Sequence, residues 1–441
     1  MSNLFEQRVT QNQNKKIDLE NVRSQFFERV WAEKQAVEIL SDKNKARRIL
    51  RDIVSENNLP LSVIETLMED IYGWGVISDL MEDPEVTNIW INRYDCIYYE
   101  KGGKIYDFER HFSSENELRY FAMRLASSNG RKLDETHCIE DFKLADGSRV
   151  VAVLPPVSVR GTTLTIRKFA SLFTLEELSE KGSFPKELIP MFRLFVKARL
   201  NIFTAGGMGS GKNTLLNAML LSVGKDENLI FVEDPAETKV GLPDPKKNIP
   251  VPKVRVFEPR RRGIEGTGEI DMNLIFEKCM RMQPTRLICS ECRDPITTYW
   301  TLQAMNIGHP GSMSSIHCEG VDEVVLRLSD LLAAYPGGAY SQVSARIGKI
   351  SAAEIIIFLG QINGYRRVLD IAEIQRTSDN ELPDIVSLYS FNIEGFTEKG
   401  EPIGKLLPTG NKPMFLNKRK ISLFLNRSEI NELKSFFEEK V

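Results

Sequence analysis

The chain contains no long apolar run. Crossing a bilayer as a helix takes roughly 18 to 20 consecutive apolar residues, and the longest candidates, such as Ala352 to Leu359, have only the length of a strand. Met1 to Ile17 are rich in Asn, Gln and charge and lack the apolar centre of a secretory signal. A soluble, cytoplasmic protein is the expectation. Cysteine is scarce: Cys96, Cys138, Cys279, Cys289, Cys292 and Cys318 are spread over 441 residues, too thinly for a secreted disulfide framework and in keeping with a reducing compartment. Charge of one sign is missing as well. The 58 Lys and Arg nearly cancel the 61 Asp and Glu, leaving a formal net charge of −3, so no global basic field points to nucleic acid or an anionic membrane. Internal repeats are absent too.

What remains is an ordinary globular composition, 42% hydrophobic and 27% charged, which excludes disorder over the whole chain and gives length for roughly two to three domains. Residues 1–60 read as a polar, helix-prone leader, with Phe26, Phe27, Val30, Trp31, Val37 and Leu40 at helical spacing and Pro60 at its end. Residues 61–168 mix helices (62–72, 116–127) with short strands (86–91, 96–99, 105–108, 150–154, 162–166), an α+β domain. From 169 to 378 strands alternate with helices, the signature of an α/β domain with a mostly parallel sheet. The strands are expected at 201–204, 229–233, 286–291 and 312–317, followed by a hairpin, 354–359 with 368–375, across Asn363-Gly364. Residues 379–441 look turn-rich and end in a helix from Arg427.

The strongest chemical signal runs from Asn201 to Thr214. An apolar strand enters the loop Gly206-Gly207-Met208-Gly209-Ser210-Gly211 and then a helix opened by Lys212. Successive backbone N–H groups and a helix N-terminus converge there on one point suited to phosphate oxygens, with Lys212 in reach of the β and γ phosphates of a nucleotide such as ATP. Ser or Thr is usual after that lysine, to bind Mg²⁺ through its hydroxyl. Here Asn213 follows, offering a carbonyl oxygen, and Thr214 comes one position late, on a different side of the helix.

Further on, Glu233, Asp234 and Glu237 cluster where a strand ends, the end at which open parallel sheets bind ligands. One of them could activate a water and another hold Mg²⁺ through water. Glu291 ends the next strand. Cys289 and Cys292 form a CxxC without a second Cys or His pair nearby, and read as core thiols. His309 and His317 bracket a short strand and could sense a γ-phosphate. Taken singly, Arg149, Arg167 and Arg260 would be surface charges.

In combination these pieces resemble the type II/type IV secretion ATPase superfamily, and most closely its CpaF-type branch, the motors of Tad pili. The similarity runs from about Ile71 to Ile374 and includes Asp146-Gly147-Ser148-Arg149-Val150, Pro155-Pro156, Leu164 to Phe169, Ala198 to Ile202, Ile264 to Glu269, Arg281-Met282-Gln283-Pro284 and Leu302 to Asn306, in order. The resemblance implies a hexameric ring ATPase with a RecA-like P-loop domain behind a smaller N-terminal domain. It implies ATP and Mg²⁺ as cofactors, an integral-membrane platform protein as partner, and no direct contact with nucleic acid. By matching position, Gly206, Gly207, Met208, Gly209, Ser210, Gly211, Lys212, Asn213 and Thr214 would bind the nucleotide, and Asn213, Asp234 and Glu237 would face the metal. Glu233 would be the likeliest catalytic carboxylate of the Asp box, Glu291 the Walker B glutamate, His309 and His317 the His box, and Arg149, Arg167 and Arg260 the arginines that approach the phosphates. Three departures stand out: Asn213, Ser290 in place of Gly, and Ile296 in place of Glu. They bear on turnover and suggest slow hydrolysis or a nucleotide-binding subunit with little catalysis. A conjugation or type IV secretion ATPase is the alternative within the superfamily. A DNA translocase is disfavoured by the near-neutral charge.

Overall fold

The computed structural model describes residues 21–32, 42–168, 172–234, 238–242, 252–259, 270–378 and 381–438, with the single positions 19, 39 and 236. Glu237, Arg260 and the stretch Ile264 to Glu269 lie outside the described residues, as does most of 1–20. The chain divides into two compact units, Met1–Ser171 and Leu172–Val441.

In the first unit, helices α1 (Lys43–Glu56), α2 (Val63–Tyr72) and α3 (Ser78–Glu82) lead into strands β1 (Val86–Arg93), β2 (Cys96–Lys101) and β3 (Lys104–Asp107). Helix α4 (Glu115–Ser128) follows, with Ser114 accepting from the Glu117 N–H as its cap. Strands β4 (Ile139–Lys143), β5 (Arg149–Val153) and β6 (Thr163–Arg167) complete an antiparallel sheet in the order β3-β2-β1-β6-β5-β4. Alternation along β5 and β6 puts Val150, Ala152, Leu164 and Ile166 into a core with Leu118, Phe121 and Leu125 of α4. Val22, Phe26, Phe27 and Val30 join α1 and α2 in a separate core.

The second unit opens with α5 (Leu175–Glu180), whose capping box joins Thr174 and Glu177 in both directions, and α6 (Ile189–Lys197). Then come β7 (Ile202–Gly206), α7 (Lys212–Leu220), β8 (Asn228–Val232), β9 (Lys253–Phe257), α8 (Met272–Met280), β10 (Arg286–Cys289), α9 (Pro295–Ile307), β11 (Met313–His317), α10 (Glu323–Ala333) and α11 (Val343–Ile350). β12 (Ile355–Ile362) and β13 (Tyr365–Gln375) form the expected hairpin, with Asn363 and Gly364 at φ +50° and +88°, both left-handed as a tight two-residue turn requires. The sheet order is β15-β14-β13-β12-β7-β11-β10-β8-β9, parallel from β12 to β9 and antiparallel beyond β12. Apart from Thr204, Asn228 and Arg286, β7, β8 and β10 are apolar and buried on both faces, as parallel strands covered by helices must be.

The C-terminal stretch differs from its turn-rich appearance. β14 (Asp384–Phe396) and β15 (Pro402–Pro408) extend the sheet, and α12 (Arg419–Phe424) and α13 (Arg427–Ser435) return to pack Phe415, Ile421, Leu425, Leu433 and Phe437 against Phe192 and Phe195. Ser387, Ser390, Asn392 and Gly395 break the alternation that marks a strand; pairing of the first two with β13 and of the last two with β15 overrides their low propensity. Two buried carboxylates tie this segment down. Glu373 accepts from the backbone N–H groups of Met414 and Phe415 at 2.7 and 2.6 Å, and Glu354 accepts from Lys418 at 2.8 Å, from Lys420, and from the Asn201 N–H at 2.9 Å.

Candidate functional site at the phosphate loop

β7 delivers the chain to the glycine loop at the centre of the parallel strands. Gly206 stands at φ +142°, where an added Cβ would lie 2.0 Å from the Leu359 carbonyl oxygen. Only glycine fits so close an approach of two backbones. Gly209 and Gly211 are also at positive φ, and Gly211 caps α7 from the left-handed region. Ser210 is buried, its hydroxyl donating to the Gly207 carbonyl; Met208 is exposed at the apex. The loop N–H groups and the first turn of α7 thereby supply donors for an anion.

Lys212 is buried. Its ammonium donates to the carbonyls of Gly206 (3.0 Å) and Gly207 (2.7 Å) and lies 3.1 Å from Nδ1 of His317. Burial pushes the ammonium down from its ordinary pKa, and Glu291 opposes that shift. An ammonium can only donate, so Nδ1 carries the lone pair, and Nε2 bears the proton it gives to Glu291 Oε1 at 3.0 Å. The structure thus brings Lys212, His317 and Glu291 into one chain at the carboxyl ends of β7, β11 and β10. Register explains it: His317 is paired with Gly206 across the two strands.

Glu233, at the end of β8, is buried and accepts from the Thr238 N–H at 3.0 Å, while Thr238 reaches Asn217 of α7 at 3.5 Å. Asp234 pairs with Arg293 at 3.0 Å. Ser290 is not among the positive-φ residues, so a serine at this position imposes no backbone strain. Ile296 sits in the first turn of α9, its N–H donating to the cap residue Asp294. Cys289 and Cys292 are buried, and hydrogen bonding to Cys292 together with burial raises the Cys289 thiol pKa; among the described residues no cluster of three metal-ligating side chains occurs.

His309 is not brought to the loop. It precedes β11 at the opposite, amino end of the sheet, where Nδ1 meets the Pro284 carbonyl at 2.9 Å. Arg149 and Arg167 belong to the first unit and face each other as direct partners on β5 and β6. Asn213 is exposed in the first turn of α7 and Thr214 half-buried behind it. The sequence reading missed Arg366, whose Nε donates to the Gly209 carbonyl at 2.7 Å. Its only signal is a position just after the hairpin turn, which carries meaning once β12 is known to lie beside β7.

A buried lysine folded onto the carbonyls of a glycine loop, between a parallel strand and the helix it feeds, defines a phosphate-loop nucleotide-binding protein. The profile of the family described as "Type II/IV secretion system protein" matches residues 72–360, and the chain belongs to that family, a family of secretion ATPases. It is 28% identical over 324 residues to a Mycobacterium tuberculosis protein named for conjugal transfer, covering 72% of this chain and 88% of that one. It is 27% identical over 331 residues to the type IV secretion system protein VirB11 of Bartonella henselae, covering 67% and 90%. Among solved structures, the Legionella pneumophila ATPase DotB aligns with TM-score 0.45 at 19% identity, over 80% of this chain and 83% of that one. No described helix is long and apolar enough to cross a membrane.

Proposed function

We propose that this chain is the ATP-hydrolysing motor of a secretion, conjugation or pilus-assembly system, working as a homo-oligomeric ring, a hexamer by family resemblance, against an integral-membrane partner at the inner face of the cell membrane. The Lys212–His317–Glu291 chain beside the phosphate loop carries the reading. Loop N–H groups and the α7 terminus hold the phosphates. Lys212 exchanges its carbonyl partners for phosphate oxygens, and His317, released from the ammonium, donates to the terminal phosphate once Nδ1 takes up a proton. Glu291, fixed through His317, orients the attacking water and takes its proton. Glu233 holds the turn after β8 against α7 and is the second carboxylate within reach. By the family resemblance, Arg149, Arg167 and Arg260 supply positive charge to the phosphates. The CpaF-like motifs favour a Tad pilus motor, whereas the names of the relatives favour conjugation or type IV secretion.

The residues present suit a Mg²⁺ ion that arrives with the nucleotide, since such an ion keeps most of its waters and takes one or two protein oxygens. Asn213 would offer its carbonyl oxygen, with Asp234 and Glu237 holding waters, and the ion would supply positive charge against that of the phosphates. A longer amide, whose NH₂ must be turned away from the ion, holds it less well than a compact hydroxyl, and slow turnover follows. Steady-state ATP hydrolysis by wild type and Asn213→Thr tests both statements. The Thr form is expected to turn over faster, on the order of tenfold. Equal rates would remove the impairment, and no hydrolysis by either would remove the motor reading.

A further inference from the structure

The β12–β13 hairpin lies along the outside of the phosphate loop. The Leu359 carbonyl is packed against Gly206, the Leu359 side chain and the Arg366 stem lie 3.9 and 3.5 Å from where a Gly211 Cβ would be, and the Gln361 amide lies 3.7 Å from the same point on Gly209. Arg366 is fastened, among the described residues, through Nε alone, to the Gly209 carbonyl. Among the described residues its two terminal nitrogens, Nη1 and Nη2, have no partner.

The strand order gives this guanidinium a meaning. β7 has β11 and then β10 on one side and β12 on the other. Glu291 and His317 occupy the β10–β11 side, where the terminal phosphate is processed. A nucleotide lying across the loop, with its γ end on that side, extends its α-phosphate and nucleoside toward the β12–β13 side. Arg366 is the cation there, with Nε held so that the free edge of its planar fork can meet phosphate oxygens.

We infer that Arg366 binds the nucleotide in cis at its α-phosphate, as the anchor for the end that is not transferred. The inference rests on the nucleotide-binding reading above. An anchor at that end contacts ATP and ADP alike, so it governs affinity and leaves the chemical step alone.

The test is calorimetric binding of ADP, and of ATP in the presence of EDTA, to the full chain as wild type, Arg366→Ala, Arg366→Gln and Arg366→Lys, with kcat and KM measured in Mg²⁺. Arg366→Ala is expected to weaken ADP and ATP by the same factor, on the order of tenfold, raising KM with kcat unchanged, and Arg366→Lys to recover part of the loss. Arg366→Gln, which keeps a donor for the Gly209 carbonyl but no charge, should behave like Ala. Wild-type affinity in Arg366→Gln would reduce the residue to a brace for the loop and overturn the inference. So would unchanged affinity in Arg366→Ala, or a loss confined to ATP. A wild-type chain that binds neither nucleotide would refute the function and this inference together, whereas wild-type binding with indifferent Arg366 variants refutes the inference alone.

Discussion

Neutralising Glu354 should loosen the second unit from its C-terminal end. The side chain is 3% exposed and its two oxygens take Lys418, Lys420 and the N–H of Asn201, the residue immediately before β7. In Glu354→Gln the Asn201 N–H can keep an amide oxygen, but two ammonium groups lose their shared counter-charge. Lys420 is the more costly of the two, because burial already lowers its pKa and Glu354 is what opposes that shift. Removing one partner of a buried pair costs about 3 to 5 kcal/mol. A unit of about 270 residues unfolds with an entropy of about 0.57 kcal/mol/K, so the loss corresponds to a fall in Tm of about 5 to 9 °C. Differential scanning calorimetry of wild type, Glu354→Gln and Lys420→Met reads it. Lys420→Met removes a cation and keeps Lys418 on the carboxylate, so it should lose less than Glu354→Gln. A Tm within about 1 °C of wild type in Glu354→Gln would refute the reasoning, since the carboxylate would then not be fastening the helices to the sheet.

Gly206→Ala forces a Cβ to 2.0 Å from the Leu359 carbonyl at φ +142°; strain and overpacking should cost about 2 to 6 kcal/mol, seen in urea unfolding. Gly209→Ala, at φ +70° with only the Gln361 side chain near at 3.7 Å, should cost about 1 to 2 kcal/mol, so the two glycines separate close backbone approach from conformational strain alone. Thr174→Ala breaks the capping box of α5 and should lower stability by about 1 kcal/mol with the ATPase rate intact.

The parallel core was legible in the sequence because its strands are continuous apolar runs punctuated by glycine, and the hairpin because Asn363-Gly364 is a strong turn signal. Four strands escaped: β4, β9, β14 and β15. β4 (IEDFK), β9 (KVRVF) and β15 (PIGKLLP) are edge strands, the first two with charged residues between the apolar ones, and β14 carries serine, asparagine and glycine, which its neighbours β13 and β15 pair all the same. The loop, Lys212, Glu291 and His317 were visible as residues; their linkage was not, because it depends on β11 lying between β7 and β10. His309 looked equivalent to His317 in sequence, yet the two stand at opposite ends of one strand. Arg366 was hidden for the same reason that Lys212 was plain: one belongs to a local motif, the other reaches the loop only through strand order.

The most direct test is steady-state ATP hydrolysis by the full chain with Glu291→Gln beside wild type, each paired with calorimetric ADP binding. The account predicts that Glu291→Gln loses at least about a hundredfold in kcat, in the range for a removed general base, with ADP affinity kept within about threefold because the phosphate loop is untouched. Wild-type kcat in Glu291→Gln would contradict it.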